Sequence, residues 1–235
     1  DIYDTTLQAR KIAEKALLPV MVCLDGFILS HMHEPVDILN QKQADSFVGK
    51  YKPFVELNPK KPVSVGPISF PDTFMEFKQV QHEAMTVASK AIVKCNTEFR
   101  KKFGRGYGDG LIETHNLSGA KHAVLAMGSV CGTIRHVIEN EKGVGLIKLR
   151  SFRPFPNAEL RKLASKLDSI AVIDKDISFG SHGALYTEVC AALKGVDVKV
   201  SGFIAGLGGR DIKPAHIEKA IKLSKDKEQS EVWLN

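Results

Sequence analysis

The sequence lacks long hydrophobic runs, clustered cysteines and metal-binding spacings. Its apolar runs fall far short of the ~20 residues that cross a bilayer, and residues 1–17 contain no hydrophobic stretch typical of a signal peptide. The four cysteines form no Cys-x-x-Cys pair, a pattern typical of a reducing compartment, which predicts a cytoplasmic protein. Neither the cysteines nor the eight histidines have the spacing of a zinc or iron–sulfur site, so no metal site is predicted in this chain.

The motifs of nucleotide and hydrolase sites are also missing. There is no Gly-x-Gly-x-x-Gly fingerprint, no Walker lysine motif and no Gly-x-Ser-x-Gly elbow. The net charge is +6, yet the basic residues are scattered and no aromatic side chains interleave with them. A solvated surface is therefore favoured over nucleic-acid binding, and the residues alone indicate no catalytic constellation.

The stretch from His122 to Arg150 predicts the fold of the C-terminal half. An apolar run at 123–127 is too short for a helix and ends at a glycine, as a buried strand does. Apolar residues at helical spacing follow, and Gly143 separates them from a second apolar run at 144–149. Strand, helix and strand within thirty residues indicate a βαβ unit and therefore a parallel sheet.

The same alternation continues to the end of the chain. It predicts an α/β domain over residues 108–225, with a mostly parallel sheet and helices on both faces. Its further predicted elements are an edge strand at 111–114, helices at 158–167, 184–193 and 214–223, and strands at 170–173 and 198–205.

The residues before this domain show a different sequence pattern. An amphipathic helix at 6–17 and a buried strand at 20–24 form half of a βαβ unit without partners, so we expect residues 1–32 to be the tail of an upstream domain. A first residue that is Asp rather than Met fits such a fragment. Residues 33–107 predict a proline-rich connector, a short helix within 41–51 and a long helix capped by Asp72. The apolar stripe of that helix is too long for one small domain to cover, which predicts a strut or a subunit contact.

Three loops follow the carboxyl ends of the predicted strands, where α/β sheets bind ligands. Gly128 and Ser129 could present a helix N-terminus to a phosphate, although a tight structural turn is favoured. The loop at 174–183 contains Ser181-His182-Gly183, in which capping or packing by His182 is favoured over catalysis.

The third loop is the most informative. Gly208 and Gly209 allow a close approach of the backbone, and Arg210 offers a planar guanidinium to a carboxylate. That carboxylate could be Asp211, Asp174, a residue of a partner or a substrate, and a structural bridge is favoured over a substrate.

Asp25, Gly26 and His31 follow the strand predicted at 20–24. Asp25 and His31 could form an acid–base pair. The favoured alternative has Asp25 holding the turn through backbone N–H groups while His31 packs at an interface.

Several of these segments, in order along the chain, resemble the alpha subunit of pyruvate:ferredoxin oxidoreductase (pyruvate synthase). The resemblance covers nearly the whole sequence. The segments are Pro19–Val22 with Leu24–His31, Pro71-Asp72 with Glu76, Phe103–Arg105, Ala126–Ser129, Arg153–Pro156 and Gly206–Asp211.

The resemblance implies a division of the chain into three parts. Residues 1–32 would be the tail of a pyrimidine-type thiamine diphosphate domain, 33–107 the connector and long helix, and 108–235 a domain similar to the transketolase C-terminal domain. The glutamate that contacts the thiamine pyrimidine and the residues facing the 2-oxoacid would lie upstream of this chain. No catalytic residue and no cofactor bound by this chain alone are therefore expected.

The resemblance also implies an activity for the holoenzyme. It would decarboxylate pyruvate oxidatively to acetyl-CoA and pass electrons to ferredoxin, or run in reverse, using thiamine diphosphate with Mg and [4Fe–4S] clusters. Pyruvate is favoured among 2-oxoacids because Leu24–Phe27 resembles the pyruvate branch. This chain would be an assembly element that contacts beta, gamma and delta subunits or a second copy, without membrane or nucleic acid. The alternative is a stand-alone nucleotide- or CoA-binding α/β module that uses the loops at Gly128 and Gly206.

Overall fold

The computed structural model describes residues 1–235 and divides into two compact units. One contains Asp1–Val22 and Pro35–Gly106, and the other contains Cys23–Glu34 and Tyr107–Asn235. No helix is both long enough and apolar enough to span a membrane. The elements are α1 (Ile2–Ala16), α2 (Ile28–His31), α3 (Gln41–Val48), α4 (Pro71–Phe103), β1 (Ile112–His115), β2 (His122–Ala126), α5 (Val130–Ile138), β3 (Val144–Leu149), α6 (Asn157–Ala164), β4 (Ser169–Asp174), α7 (Ala184–Leu193), β5 (Lys199–Ile204), α8 (Pro214–Asp226) and β6 (Val232–Trp233).

The second unit is built around a six-stranded sheet with the strand order β1-β3-β2-β4-β5-β6. β1 runs antiparallel to β3, and every other neighbouring pair is parallel. The apolar run of β2 lies between two partners, since Val124 pairs with Leu146 of β3 and with Ala171 of β4. A strand that is hydrogen-bonded on both sides and covered on both faces needs apolar residues throughout. The predicted mostly parallel sheet is confirmed.

Helices cover both faces of this sheet. Val124 and Ala126 of β2 belong to a core cluster that includes residues of α5 and α8. Ala123 and Leu125 belong to a second cluster that includes residues of α6 and α7. Successive side chains on a strand alternate between faces, so one short strand contributes to two cores. The predicted helices on both faces are confirmed.

The first unit is held together by three helices. α1 and α3 pack against the C-terminal half of α4, where three aromatic rings meet. Phe99 is completely buried, and its ring centroid lies 4.9 Å from that of Phe47 and 4.8 Å from that of Phe103. Edge-to-face contacts of this kind stabilise a core beyond the area they bury. This cluster therefore fixes the three helices against one another.

The N-terminal half of α4 and the preceding residues 49–70 bury little apolar surface within this unit. The stripe predicted from Phe74 to Phe99 is thus covered only over its C-terminal part. The large apolar side chains that remain half exposed or more are Phe54, Leu57, Val65, Ile68, Phe70, Phe74, Met75, Phe77 and Val80.

Two local predictions are wrong. Residues 20–24, predicted as a buried strand, form no strand, and Met21 is 86% exposed. A strand needs a neighbour for its backbone hydrogen bonds, and no strand of this chain pairs with these residues. Asp72 is not the cap of the long helix, because α4 begins at Pro71 with Phe70 as its N-cap. Proline suits the first helical position, where its missing N–H has no helical partner to lose.

Replacing Phe99 by alanine should destabilise the first unit by about 3–5 kcal/mol, the usual loss for a buried phenylalanine. Phe54→Ala is the matched control, since its ring is 81% exposed and its loss should cost less than about 0.5 kcal/mol. Chemical denaturation of the wild type and both variants, followed by circular dichroism, measures the difference. Equal losses in the two variants would contradict the packing described for α4.

Candidate functional site

The connections of the sheet reverse direction between β2 and β4. These two strands are neighbours, but after β2 the chain passes through α5 to β3, and after β4 it passes through α7 to β5 on the other side. The two loops therefore diverge and leave a crevice at the carboxyl edge. Such a switch point is where open α/β sheets usually bind ligands.

The carboxylate of Asp25 occupies this switch point. The backbone N–H of Ser129, which follows β2, donates to Asp25 Oδ2 at 2.7 Å. The Lys175 ammonium, which follows β4, donates to Asp25 Oδ1 at 2.6 Å. Ser129 is also the N-cap position of α5, where the helix dipole favours a negative charge. One side chain thus bridges the ends of two neighbouring strands.

The surroundings of Asp25 keep it ionised. Partial burial raises the pKa of the carboxyl group, but the hydrogen bonds from Lys175 and from the Ser129 backbone outweigh burial, so the net pKa is lowered. Gly128 makes room for this contact. Its φ is +75°, and a Cβ atom there would lie 2.9 Å from Asp25 Oδ2. In this structure Gly128 leaves space for the Asp25 carboxylate of the same chain, and the Ser129 N–H donates a hydrogen bond to it.

Residues beyond Asp25 continue along the same edge. The Phe27 ring lies against Gly209, where an added Cβ atom would be 3.1 Å from Phe27 Cγ. The Phe27 carbonyl oxygen lies 2.6 Å from His31 Nδ1 and accepts a hydrogen bond from the Ser30 hydroxyl at 2.9 Å. An open hollow of about 510 Å³ is lined by Phe27, Ile28, His31 and Met32.

The acid–base pair considered for Asp25 and His31 does not form. Asp25 bonds to Ser129 and Lys175, whereas His31 bonds to the Phe27 carbonyl and is exposed. Asp25 does accept a backbone N–H, but from a distant loop rather than from its own turn. Sequence reasoning missed Lys175, although its place directly after a predicted strand was a signal.

Asp174 forms a second carboxylate site at the same edge. Its two oxygens accept the backbone N–H groups of Leu185 and Tyr186, each at 2.9 Å, and so cap the N-terminus of α7. The net pKa of Asp174 is raised to about 6, because burial and the neighbouring Asp176 raise it by more than the amide hydrogen bonds lower it. Gly183 is packed against this carboxylate, because a Cβ atom there would overlap it.

His182, in the loop at 174–183, contacts other residues of this chain. His182 Nδ1 lies 3.4 Å from Glu231 Oε2, and its ring meets the edge of Tyr186 at 5.4 Å, which agrees with the packing interpretation.

Arg210 makes neither of the intramolecular bridges considered. The bridge to Asp174, one of the alternatives considered, does not form because the oxygens of Asp174 accept N–H groups of α7, and no ion pair joins Arg210 to Asp211. The Gly208-Gly209 turn carries Arg210 and Asp211 into solvent, where Arg210 Nη1 lies 3.5 Å from Asn235 Oδ1. A partner's carboxylate or a substrate remains open for this guanidinium.

The described side chains do not converge on a metal site. No group of three or more His, Cys, Asp or Glu residues is placed to hold an ion. At the switch point the carboxyl edge of the sheet binds one carboxylate, that of Asp25.

Two family models match this chain. Residues 1–97 match the thiamine diphosphate-binding domain of pyruvate flavodoxin/ferredoxin oxidoreductases. Residues 120–217 match core domain II of pyruvate:ferredoxin oxidoreductase. The first match extends well beyond residue 32, up to which the sequence analysis places the tail of the thiamine domain.

Curated relatives align along the full chain. Pyruvate synthase subunit PorA of Methanothermobacter thermautotrophicus is 44% identical over 240 residues, and that of Methanocaldococcus jannaschii is 45% identical over 243 residues. Each alignment covers 100% of this chain and 62% of the relative. The chain is homologous to oxidoreductase subunits over its whole length. It spans about three fifths of the length of these relatives.

The likeness extends to an enzyme named for another 2-oxoacid. Ketoisovalerate oxidoreductase subunit VorA of Pyrococcus horikoshii is 37% identical over 218 residues, which is 90% of this chain and 55% of that relative. A solved 2-oxoglutarate:ferredoxin oxidoreductase from Magnetococcus marinus superposes with a TM-score of 0.42 at 14% identity, covering 67% of this chain and 24% of that chain. That likeness is too weak to define the fold.

Gly183→Ala should destabilise the protein by about 1–3 kcal/mol, because the added methyl group displaces the Asp174 carboxylate from the N-terminus of α7. Gly132→Ala is the control. It lies in α5 with nothing within 4 Å of the new Cβ atom and should stabilise by about 0.5–1 kcal/mol. Thermal denaturation of the two variants should shift in opposite directions. A neutral Gly183→Ala would disprove the close approach.

Asp174 should make stability fall as the pH rises from about 4 to about 6. Its pKa is raised from the ordinary 3.8 to about 6 in the folded protein. Between these values the folded state keeps a proton that the unfolded chain has released, so a rising pH favours unfolding. The difference in melting temperature between wild type and Asp174→Asn, measured from pH 4 to pH 6.5, isolates this contribution. A difference that stays constant across that range would contradict it.

Proposed function

We propose that this chain is the later part of the alpha subunit of a pyruvate:ferredoxin oxidoreductase. The enzyme converts pyruvate and CoA to acetyl-CoA, or runs in reverse, in the cytoplasm, and passes electrons to ferredoxin. The observation that carries this proposal is the pair of family matches in their order along the chain, together with PorA relatives at 44% and 45% identity over all of it. Pyruvate is preferred to other 2-oxoacids because these more similar relatives are pyruvate synthases.

The residues of this chain do not fit the cofactor on their own. A magnesium ion on a diphosphate needs several converging oxygen ligands, and this chain has no group of three acidic or imidazole side chains in position. The switch point, which could receive a phosphate, already holds the Asp25 carboxylate. We therefore propose that thiamine diphosphate with Mg draws ligands from parts of the holoenzyme outside this chain, and that the [4Fe–4S] clusters are held by other subunits.

The domain assignment combines the sequence resemblance with the family matches. Residues 1–32, together with the connector and long helix at 33–107, lie within or directly after the thiamine diphosphate-binding match at 1–97, and residues 108–235 form a domain similar to the transketolase C-terminal domain. The compact unit that contains Tyr107–Asn235, with its mostly parallel sheet, supports the last of these boundaries.

Within this enzyme the chain serves assembly. The side chains of Phe74, Met75, Phe77 and Val80 on the N-terminal half of α4 are half exposed or more, and so is Phe70 before them. An exposed apolar surface of this kind usually marks a protein contact. The surface is covered in the holoenzyme by the beta, gamma or delta subunit or by the rest of the alpha subunit, and in the isolated chain by a second copy.

The complete alpha subunit, purified with its partner subunits, should reduce a viologen dye when pyruvate, CoA and thiamine diphosphate are supplied. The 235-residue chain alone should be inactive and should give no heat of binding with CoA, ADP or thiamine diphosphate. Tight calorimetric binding of CoA or ADP by the isolated chain would favour the nucleotide-binding module instead. An assembled enzyme that oxidises 2-oxoisovalerate but not pyruvate would refute the substrate assignment.

Phe77→Glu should weaken assembly by several kcal/mol, because it places an unpaired charge in the apolar contact. Gln79→Glu adds the same charge to the same helix two residues from Phe77, on the opposite face, and should leave assembly unchanged. Co-purification with the partner subunits and sedimentation of the isolated chain measure both forms of association. A wild-type chain that stays monomeric at high concentration and fails to co-purify would show that this surface needs no partner.

A further inference from the structure

The segment that supplies Asp25 has few other polar contacts. We call residues 23–34 the strap. Its side-chain hydrogen bonds to the rest of its compact unit all come from one carboxylate, which bonds to Ser129 and Lys175. The bonds of Ser30 and His31 stay within the strap. Most of its large apolar side chains are exposed: Leu24, Phe27, Ile28, Leu29 and Met32.

The strap holds one residue in a strained conformation. Phe27 has φ +53° and ψ −123°, a combination that a residue with a side chain rarely adopts. Such strain persists only where the surroundings impose it. The surroundings here are the Asp25 anchor two residues earlier and the face of Gly209, against which the Phe27 ring packs.

We infer that the strap is a releasable cover of the switch-point crevice, latched by Asp25 to Lys175 and to the Ser129 amide. In the docked state the carboxylate fills the place where a ligand of an α/β sheet would bind. Once the latch opens, Phe27 relaxes to an ordinary backbone conformation, and both the Lys175 ammonium and the N-terminus of α5 become free. Asp25 is thus a positioning residue for Phe27 and His31. These contacts lie within one chain, so the latch does not depend on the enzyme proposed above.

The strength of the latch comes from charge. Both bonds to Asp25 are charge-assisted, and the Ser129 N–H is at a helix N-terminus, where a carboxylate is favoured. The strained backbone at Phe27, in contrast, favours release of the strap. A docked state held by one anchor against strain should open much more readily than the sheet unfolds.

Limited chymotrypsin digestion of the full 235-residue chain tests the latch, because cleavage after Phe27 reports how often the strap is undocked. Asp25→Asn and Lys175→Met should each speed this cleavage roughly tenfold, the factor that corresponds to about 1.4 kcal/mol. The double variant should be no faster than Asp25→Asn alone, because the ion pair that Lys175→Met removes is already lost in that variant. Lys175→Met leaves the sequence of the strap intact, so a change in the protease site cannot explain its effect.

Asp211→Asn is the matched control. It removes the same charge at the same sheet edge from an exposed carboxylate that is not bonded to the strap, and it should not change cleavage. Thermal melting identifies any variant that unfolds as a whole. Wild type in 1 M salt, where the Debye length falls to about 3 Å, should also be cleaved faster, which tests the latch without mutation. Unchanged cleavage in Lys175→Met and in high salt, or additive effects in the double variant, would overturn the inference.

Discussion

The ion pair between Asp25 and Lys175 resolves a problem that the sheet topology creates. Two neighbouring parallel strands whose connections diverge leave an open crevice, and here a helix N-terminus and an ammonium group face into it. Both are positive and would remain partly desolvated without an anion. The chain supplies that anion from a residue 104 positions before Ser129. Gly128 is required at the turn because any side chain would approach the same carboxylate.

Two carboxylates at this edge illustrate how the surroundings set a charge. Asp25 has a cation within 2.6 Å, and its pKa is lowered although burial acts against ionisation. Asp174 accepts two backbone N–H groups but has no cation and is more deeply buried, with another carboxylate nearby, and its pKa is raised. Hydrogen bonds from amides alone therefore do not keep a buried carboxylate fully ionised at mildly acidic pH, whereas a lysine does.

The sequence predicts the parts of this protein that depend on local pattern. Apolar runs bounded by glycines identify β2 and β3, and helical spacing identifies α5 and α7, because both signals lie within a few residues. The strand predicted at 20–24 fails because a strand is defined by its partner, which no local pattern reveals. The two-residue strand β6 was missed because it is too short to show any alternation.

The candidate site was predicted less completely than the fold. Gly128, Ser129 and Asp25 were each chosen as site residues, but from separate arguments, and nothing in the sequence indicates that they meet. Lys175 belongs to the same site and was overlooked, since a lysine at a strand end is usually solvated. Contacts between residues a hundred positions apart depend on the order of the strands in the sheet. The spacing of residues along the sequence does not reveal that order.

The two compact units differ in how well they satisfy their own apolar surface. In the α/β unit the apolar side chains of the central strands β2 and β4 alternate between the two core clusters, so helices of the same unit cover both faces of the sheet. In the helical unit the three-ring cluster closes only the C-terminal part of α4, and the exposed side chains begin at Val87 and continue back to Phe70. Exposed charged residues such as Glu76 and Lys78 lie between these positions, but the apolar side chains themselves stay half exposed or more from Phe70 to Val80. A contact with another polypeptide is therefore expected along the N-terminal half of α4.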